Sequence, residues 1–530
     1  MSDFHSGMCV LCVFLGPRPN DSEKNRLADD GTLVKVLFYD IVRQTRLPAG
    51  ISAVDTDNCY DRIAHPIASL AFQALGVKKE ACESIFTTIQ NMKFFLRTGY
   101  GDSTEFASAT GDIKTQGMCQ GNGAAPAAWT VDSIAMINAH KRKGHGIHLR
   151  SPITNKTIHL AGTLFVDDTD VEHLDLNKSE TREDTHNALQ ESIINWGHLL
   201  IATGGALKPA KCFYHIISFS WKPDGDWKYD ENENSQALEI LVPLADGTLA
   251  PIDHLPLSTP TKTLGQMTCP TGCSKGALLQ MKEKAQKWID KAREGRLHRR
   301  NFWFLLDKQF WPGVAFGISS ITASFDDLDK CMMKTYYDML PLGGVRRSIR
   351  KELRQMDRGF YGCGLPHPGI ECFIAQVSKL LTNYGCNTGL GVHIQMSMEL
   401  MIIEGGVSNQ ILAQPYQWYS KWVSQCWLKS VWEKIDLFNL TVEVSALPLP
   451  FPRENDDWLM LVFEREGYNV DELIRLNRVR CHQHVIFYSD VFDLRGRSLD
   501  RRYRNKRPIR EKWSDLIFPI EKPPGRDFRL

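Results

Sequence analysis

Apolar and polar positions change their period several times along the chain, and each change marks an element. The run "GISAVDTD" has the apolar character of a buried strand, and Pro66 opens a helix through Leu70, Ala74 and Leu75 that Gly76 closes. Ala81, Ile85, Ile89, Met92 and Leu96 recur at helical spacing and predict a second helix up to Gly99. "HLAGTLFVDDTDV" reads as a strand, a tight turn and a short return strand. Leu189, Ile193, Trp196 and Leu200 then share one helical face, stopped by Gly204 and Gly205. From Ile216 to Pro270 the pattern breaks into short strands around turns such as "KPDGDW" and "LADGTL", which predicts β-hairpins. Helical periodicity returns at Leu278, Met281, Ala285 and Trp288, and "RRNFWFLLDKQFWPG" adds an aromatic helix ended by Pro312. Residues 346–530 mix helices and loops around a tryptophan-rich stretch, "YQWYSKWVSQCWLKSVW". The layout is α+β, with helices packed on one side of a small antiparallel sheet.

Composition narrows this only slightly. A chain of 530 residues with 43% hydrophobic and 24% charged residues has a globular composition, and at roughly 150 residues per domain it has room for several units. Basic and acidic residues nearly cancel, 63 against 62 for a net +1, which leaves polyanion partners open because local clustering decides them. Fourteen scattered cysteines show no closely spaced framework, so free thiols in a reducing compartment are expected, and with them an intracellular location in nucleus or cytoplasm. The apolar stretch Met8–Leu15 is short and lacks a basic lead-in, and no run approaches the roughly 18 apolar residues of a membrane helix. No membrane partner is expected.

The chemistry concentrates at "FVDD", where Asp167 and Asp168 follow an apolar run ending in Phe165 and Val166. Adjacent side chains on a strand point to opposite faces, so this pair builds a cation cage only if another strand brings a further carboxylate alongside. Asp55, at the end of "ISAV", offers one, with Asp61 shortly after it. Phosphoryl transfer to a hydroxyl uses two divalent metals about 4 Å apart, bridged by carboxylates, and Mg²⁺ favours a few carboxylates completed by water and substrate phosphate. Taken alone, an Asp-Asp dipeptide reads as a solvated turn or an Asx cap, and Asp61 reads as a helix N-terminal residue.

The segments "VDTDNCYDRIAH", "GMCQGNGAAPAAW", "FVDD", "GGALKPAKCFY" and "KTLGQM" follow one another in that order between residues 50 and 267. Together they resemble the reverse transcriptase family, particularly the polymerases of retrotransposons. The resemblance implies a right-hand polymerase: a remnant of truncated fingers in 1–50, a palm with a β-hairpin insertion in 51–270 and a helical thumb-like domain in 271–345. Residues 346–530 would be a C-terminal domain without an assigned role, ending in a basic tail. The implied activity is that of an RNA-directed DNA polymerase of a retroelement, a nucleotidyltransferase extending a DNA primer on an RNA template with dNTPs, using Mg²⁺ or Mn²⁺.

Residue by residue, the resemblance assigns Asp55, Asp167 and Asp168 to the metal site, with Lys211 near the triphosphate as a proton donor to the pyrophosphate. Tyr60 would sit under the incoming sugar, Gln120 and Gly121 would line the nucleotide and template pocket, and Phe165 holds the aromatic position where tyrosine is commoner. From the residues alone, Tyr60 reads equally as a core aromatic and Lys211 as a solvated charge. Arg296, Arg299 and Arg300, with Lys291, Arg293 and His298, form a basic cluster beside Phe302 and Trp303. Such a cluster suits backbone phosphates and stacking, or is simply a solvated helix face. Two rivals remain. One is a catalytically inactive reverse-transcriptase-like relic that binds nucleic acid. The other is an RNA-directed RNA polymerase, which Gln120-Gly121, Tyr60 and Val166 before Asp167 disfavour.

Overall fold

The computed structural model describes residues 28–109, 116–119, 122–165, 168–178, 180–230, 239–444, 456–493, 497–500, 513 and 516–522. In chain order its strands are β1 (Ala49–Asp55), β2 (Phe94–Thr98), β3 (Gly101–Ala107), β4 (Ile147–Arg150), β5 (Thr157–Leu160), β6 (Gly162–Phe165) and β7 (Asp168–Asp175). They continue as β8 (Phe213–Ile217), β9 (Phe219–Trp221), β10 (Trp227–Tyr229), β11 (Ile240–Pro243), β12 (Leu249–His254), β13 (Thr261–Thr263) and β14 (Gln266–Thr268). Eight of them form a central sheet in the order β11-β12-β8-β1-β7-β4-β5, with β6 added to β7.

The fold class is α+β, but the expected antiparallel sheet is mixed. β12 runs parallel to β8 and β4 parallel to β7. In each case a reversed excursion intervenes, so the chain returns in its original direction. Helices also cover both faces rather than one. Val54, Val171, Tyr214 and Ile216 turn towards α4 (Ala125–Arg142) and α5 (Arg182–Ala202), where Leu189, Ile193, Trp196 and Leu200 supply the facing apolar stripe. α5 starts cleanly because Thr181 and Asp184 cap each other reciprocally. α5 comes close to β1 at Gly50, where a Cβ would stand 2.9 Å from the Leu189 side chain. The opposite face, through Ala49, Ile51, Leu174 and Ile217, packs on Leu33 and Leu37 of α1 (Ala28–Thr45).

After α2 (His65–Ala74), the predicted second helix is shorter and rotated. α3 spans Lys79–Gln90 and buries Cys82, Phe86 and Ile89, while Ile85 is exposed. Phe86 offers the larger apolar area and packs its ring on His65 and Phe72, which turns that face inward. Met92 and Leu96 lie beyond it, and Leu96 belongs to the exposed hairpin β2–β3.

The apolar cores do not divide at the expected boundaries. α1, placed with the fingers remnant by sequence, shares one core with the sheet, the helix Gly389–Gly405 and Trp427 and Trp432 of the helix Trp427–Leu437. Residues 28–45 and much of 346–530 are therefore one packed body with the strands. A second core joins α6 (Lys275–Glu294), α7 (Arg299–Leu305) and the helix Phe325–Met339, and extends past residue 345 to Leu365 and Cys372. No helix among the described residues is long and apolar enough to cross a membrane.

Candidate functional site

β1 and β7 pair in register from Gly50↔His173 to Asp55↔Asp168, so the last residue of one strand lies opposite the first of the other. Opposed residues in an antiparallel pair project to the same face, with Cα atoms about 4.5–5.5 Å apart. Two carboxylates thus leave the sheet side by side. Steps of two along β7 add Asp170 and Glu172 to this face, and Phe213 of β8 joins them opposite Ala53.

The backbone of Asp55 is held on both sides. Its N–H donates to Cys212 Sγ at 3.4 Å, and its carbonyl accepts from the Lys208 N–H at 3.0 Å. A 3₁₀ turn, Pro209–Lys211, follows directly, and from it Lys211 Nζ donates to Asp55 Oδ1 at 3.2 Å and Oδ2 at 3.1 Å. The Lys211 side chain is 56% exposed and that of Asp55 22%. Solvent screens such a pair to about 1 kcal/mol or less. Burial pushes the Cys212 thiol up to about 11, so it serves here as a neutral hydrogen-bonding group.

The opposite wall is the β13–β14 hairpin. Leu264 at φ 48° and Gly265 at φ 89° make its two-residue turn left-handed at both positions. A leucine there is strained by roughly 1–3 kcal/mol, the kind of backbone that recurs at ligand sites. α1 forms the floor: Lys35 Nζ donates to Asp170 Oδ1 at 2.7 Å, and both side chains are buried. Below it, Glu172 accepts from Thr163 Oγ1 at 3.4 Å. Burial first, then the neighbouring Asp170, push the Glu172 carboxyl well above its ordinary range. Lys35 thus lies against two neighbouring buried acids and donates to the first of them. These walls enclose a cavity of about 240 Å³ lined by Asp55, Asp168, Lys211, Phe165, Lys35 and Leu264, among others.

Of the residues assigned from sequence, Asp55, Asp168, Phe165 and Lys211 are brought together here. Asp167, Gln120 and Gly121 lie outside the described residues. Just before the last two, the Gly117 N–H donates to the Ile63 carbonyl at 2.9 Å and the Met118 N–H to the Tyr60 carbonyl at 2.7 Å. A Cβ on Gly117 would stand 2.4 Å from the Asp61 carbonyl oxygen, so only glycine allows this approach. Tyr60 itself is half-buried in the 3₁₀ turn Cys59–Arg62, packed against the apolar layer, and is not on the described cavity wall. Arg296, Arg299 and Arg300 are exposed at the junction of α6 and α7, also away from that wall.

Sequence reading gave no site role to Lys35, Thr163 and Asp170, and touched Lys262 and Leu264 only as members of "KTLGQM". Two of these had signals. Lys35 interrupts the apolar run "LVKVLF", where a buried cation needs a partner, and "DDTDVE" puts acids at alternate strand positions.

Asp55 and Asp168 also fit a divalent cation. They are hard oxygen donors at a solvent-reached cleft, and the ammonium of Lys211 on Asp55 shows that a cation is favoured there. Two carboxylates with phosphate oxygens and water are an ordinary Mg²⁺ set. Among the described residues no three His, Cys, Asp or Glu side chains are grouped to hold a metal.

No family model matches the chain, and no curated protein matches it. Among solved structures it is similar to telomerase from Candida albicans in complex with a TWJ fragment of telomeric RNA, at 14% identity and a TM-score of 0.26, over 69% of this chain and 49% of that one. Telomerase from Candida tropicalis, in the same type of complex, gives 12% identity and a TM-score of 0.27 over 71% and 54%. The chain thus spans about half the length of these two. At such scores the likeness decides nothing about activity.

Proposed function

We propose that the cleft between β1, β7 and the β13–β14 turn is the nucleotidyl-transfer site of an RNA-directed DNA polymerase of reverse-transcriptase type. The observation that carries this is the opposed pair Asp55 and Asp168, with Lys211 bridging from the next strand connection to the first of them. Polymerisation needs a bound cation held by carboxylates at a strand turn and a mobile proton donor beside it. Asp55 and Asp168 would hold Mg²⁺ or Mn²⁺, with Asp167 as the further ligand. The metal would lower the pKa of the primer hydroxyl and neutralise the triphosphate.

The protein's own groups have separable tasks. Lys211, with its side chain exposed at the cleft, swings from Asp55 towards the leaving pyrophosphate and gives it a proton. Phe165 and Leu264 supply apolar walls that orient sugar and base, and Lys262 adds a cation at the rim. The test is primer extension on an RNA template with dNTPs and Mg²⁺ or Mn²⁺. Extension is expected from the unchanged chain and lost with Asp167→Asn and Asp168→Asn together; activity surviving the double substitution sinks the site.

One observation favours the rival reading of a nucleic-acid-binding relic without polymerase activity. The cavity, about 240 Å³, lies below the roughly 300–1,000 Å³ of ordinary small-molecule sites, because α1 and Lys35 fill its floor. That reading expects salt-sensitive RNA binding and no extension under any metal.

A further inference from the structure

Between Asp132 and Asp167 the sequence contains no acidic residue, yet it carries Lys141, Arg142, Lys143, Arg150 and Lys156 together with four histidines. For a chain whose net charge is +1, this is a strong local imbalance, and the fold gathers it into one corner. α4 ends with His140, Lys141 and Arg142 in its last turn. Gly146, at φ 112°, then lets the turn run against β5, where a Cβ would stand 2.0 Å from the Leu160 carbonyl oxygen. His148 of β4 lies opposite His159 of β5, with their rings stacked at 4.0 Å. His159 Nε2 also lies 2.7 Å from the His145 carbonyl. β5 is the last strand of the sheet, so this corner is an edge.

The charges are not neutralised from within. Among the described residues the side chains of Lys141, Arg142 and Lys143 have no ion pair, and the buried Nε of Arg150 has no hydrogen-bond partner. Of the nearby acids, Asp175 is taken by Lys178 at 3.1 Å and Glu180 by His173 at 2.8 Å, which leaves Glu191 facing His145. The imidazole of His159 is held below its ordinary range first by burial, with His148, Lys141 and His145 adding to it against the bond to the His145 carbonyl. A helix C-terminus favours cations by about 0.3–1 kcal/mol, and charged residues blunt an edge strand. Neither requires a cluster of cations that repel one another.

We propose that this corner of α4, β4 and β5 is a second nucleic-acid contact, in which Lys141, Arg142 and Lys143 grip backbone phosphates while Arg150 and the stacked imidazoles lie along the strand. It is remote from the cleft: β4 joins β7 at Leu174 and Asp175, the far end from Asp168, or about 23 Å along the strand at ~3.3 Å per residue. A strand held here and at the cleft would be gripped at two points, which raises the effective concentration at each.

The experiment is equilibrium binding of a short labelled poly(U) RNA to the full chain over a salt series, without primer or dNTPs. The variant Lys141→Gln, Arg142→Gln, Lys143→Gln is compared with a control losing equal charge, Lys78→Gln, Lys222→Gln, Lys228→Gln. With about 0.7 counterion per phosphate of a single strand, the first variant is expected to lower the log–log salt slope by about 2 and the affinity about 10-fold, with little change in the control. Matching melting temperatures establish that both are folded, and Lys141→Arg with Lys143→Arg is expected to keep wild-type binding. Equal losses in both variants, or an unchanged slope in the first, overturn the proposal. So does a loss confined to phosphatidylserine vesicles with RNA binding intact. Because no nucleotide is incorporated in this assay, failure of the polymerase reading leaves its result standing.

Discussion

The two faces of the central sheet use the same strands for opposite purposes. Towards α4 and α5, β1 and β7 present Val54 and Val171, and the layer closes mainly on apolar area. Towards α1 the same strands continue from the apolar Ala49, Ile51 and Leu174 to Asp55, Asp168, Asp170 and Glu172, and on these acids one buried lysine, Lys35, pairs with Asp170. The polar face is thus graded along β7: open at Asp168, paired with Lys35 at Asp170 and sealed at Glu172. A site can be reactive at one end of a strand because the other end is packed as core.

The largest effect that would break this contrast is at the open end. Asp55→Asn removes half of the carboxylate pair and the ion pair Lys211 makes with it, and primer extension is expected to fall by roughly 100- to 1,000-fold, the scale of losing one preorganised electrostatic group at a reacting centre. Single-turnover rates at saturating dNTP measure it. A loss confined to KM would make Asp55 a binding group only.

One turn deeper, the effect moves from rate to stability. Lys35→Ala leaves Asp170 buried without its cation, which is expected to cost about 3–5 kcal/mol in denaturant unfolding. Lys35→Met with Asp170→Leu, which removes both charges, is expected to recover most of that loss. If the single and double substitutions cost the same, the ion pair is not what closes this face.

The apolar face contains its own exception, which sharpens the comparison through pH. Asp132 of α4 is fully buried, neither carboxylate oxygen has a hydrogen-bond partner, and burial pushes it up to about 7. Folding favours its protonated form, so the stability it permits is fully present below its ordinary value of 3.8 and is lost as pH rises through about 7. Asp132→Asn should match the unchanged protein near the acid end and exceed it by up to about 4 kcal/mol above the folded value. Unfolding midpoints measured across the pH range check the sign, and a variant less stable at high pH refutes it.

How much of this could be read from sequence follows from what local pattern encodes. The strand before Asp55 and the face of α5 each depend on neighbours within a few residues, and they stand where the periodicity placed them. α3 did not, because two apolar faces one residue apart were available and the ring of Phe86 chose between them. The membership of α1 was hidden for a different reason. Its burial depends on the helix Gly389–Gly405, hundreds of positions away, where Gln44 meets Ser397 through paired hydrogen bonds of 2.9 and 3.0 Å. Lys35 is buried in the same way, beneath that second layer. At the site, the aspartates were legible through their order in a set of motifs, whereas Leu264 acquires meaning only from its backbone angle.

That angle carries the smallest of the expected effects. Leu264 is held at φ 48°, where a side chain with a Cβ is strained and glycine is not. Two terms oppose each other in Leu264→Gly. Backbone strain of about 1 kcal/mol is relieved in the folded state, while the unfolded chain gains freedom that costs roughly 0.4–1 kcal/mol, and the net change in unfolding free energy should be near zero. Leu264→Ala keeps the strain and loses only the side chain on the cleft wall, so it should be the less stable of the two. If the leucine is retained for what it touches rather than for the turn, both variants raise KM for the nucleotide alike while their stabilities differ. If only the alanine variant loses function, the turn's shape and not the apolar wall is what the cleft requires.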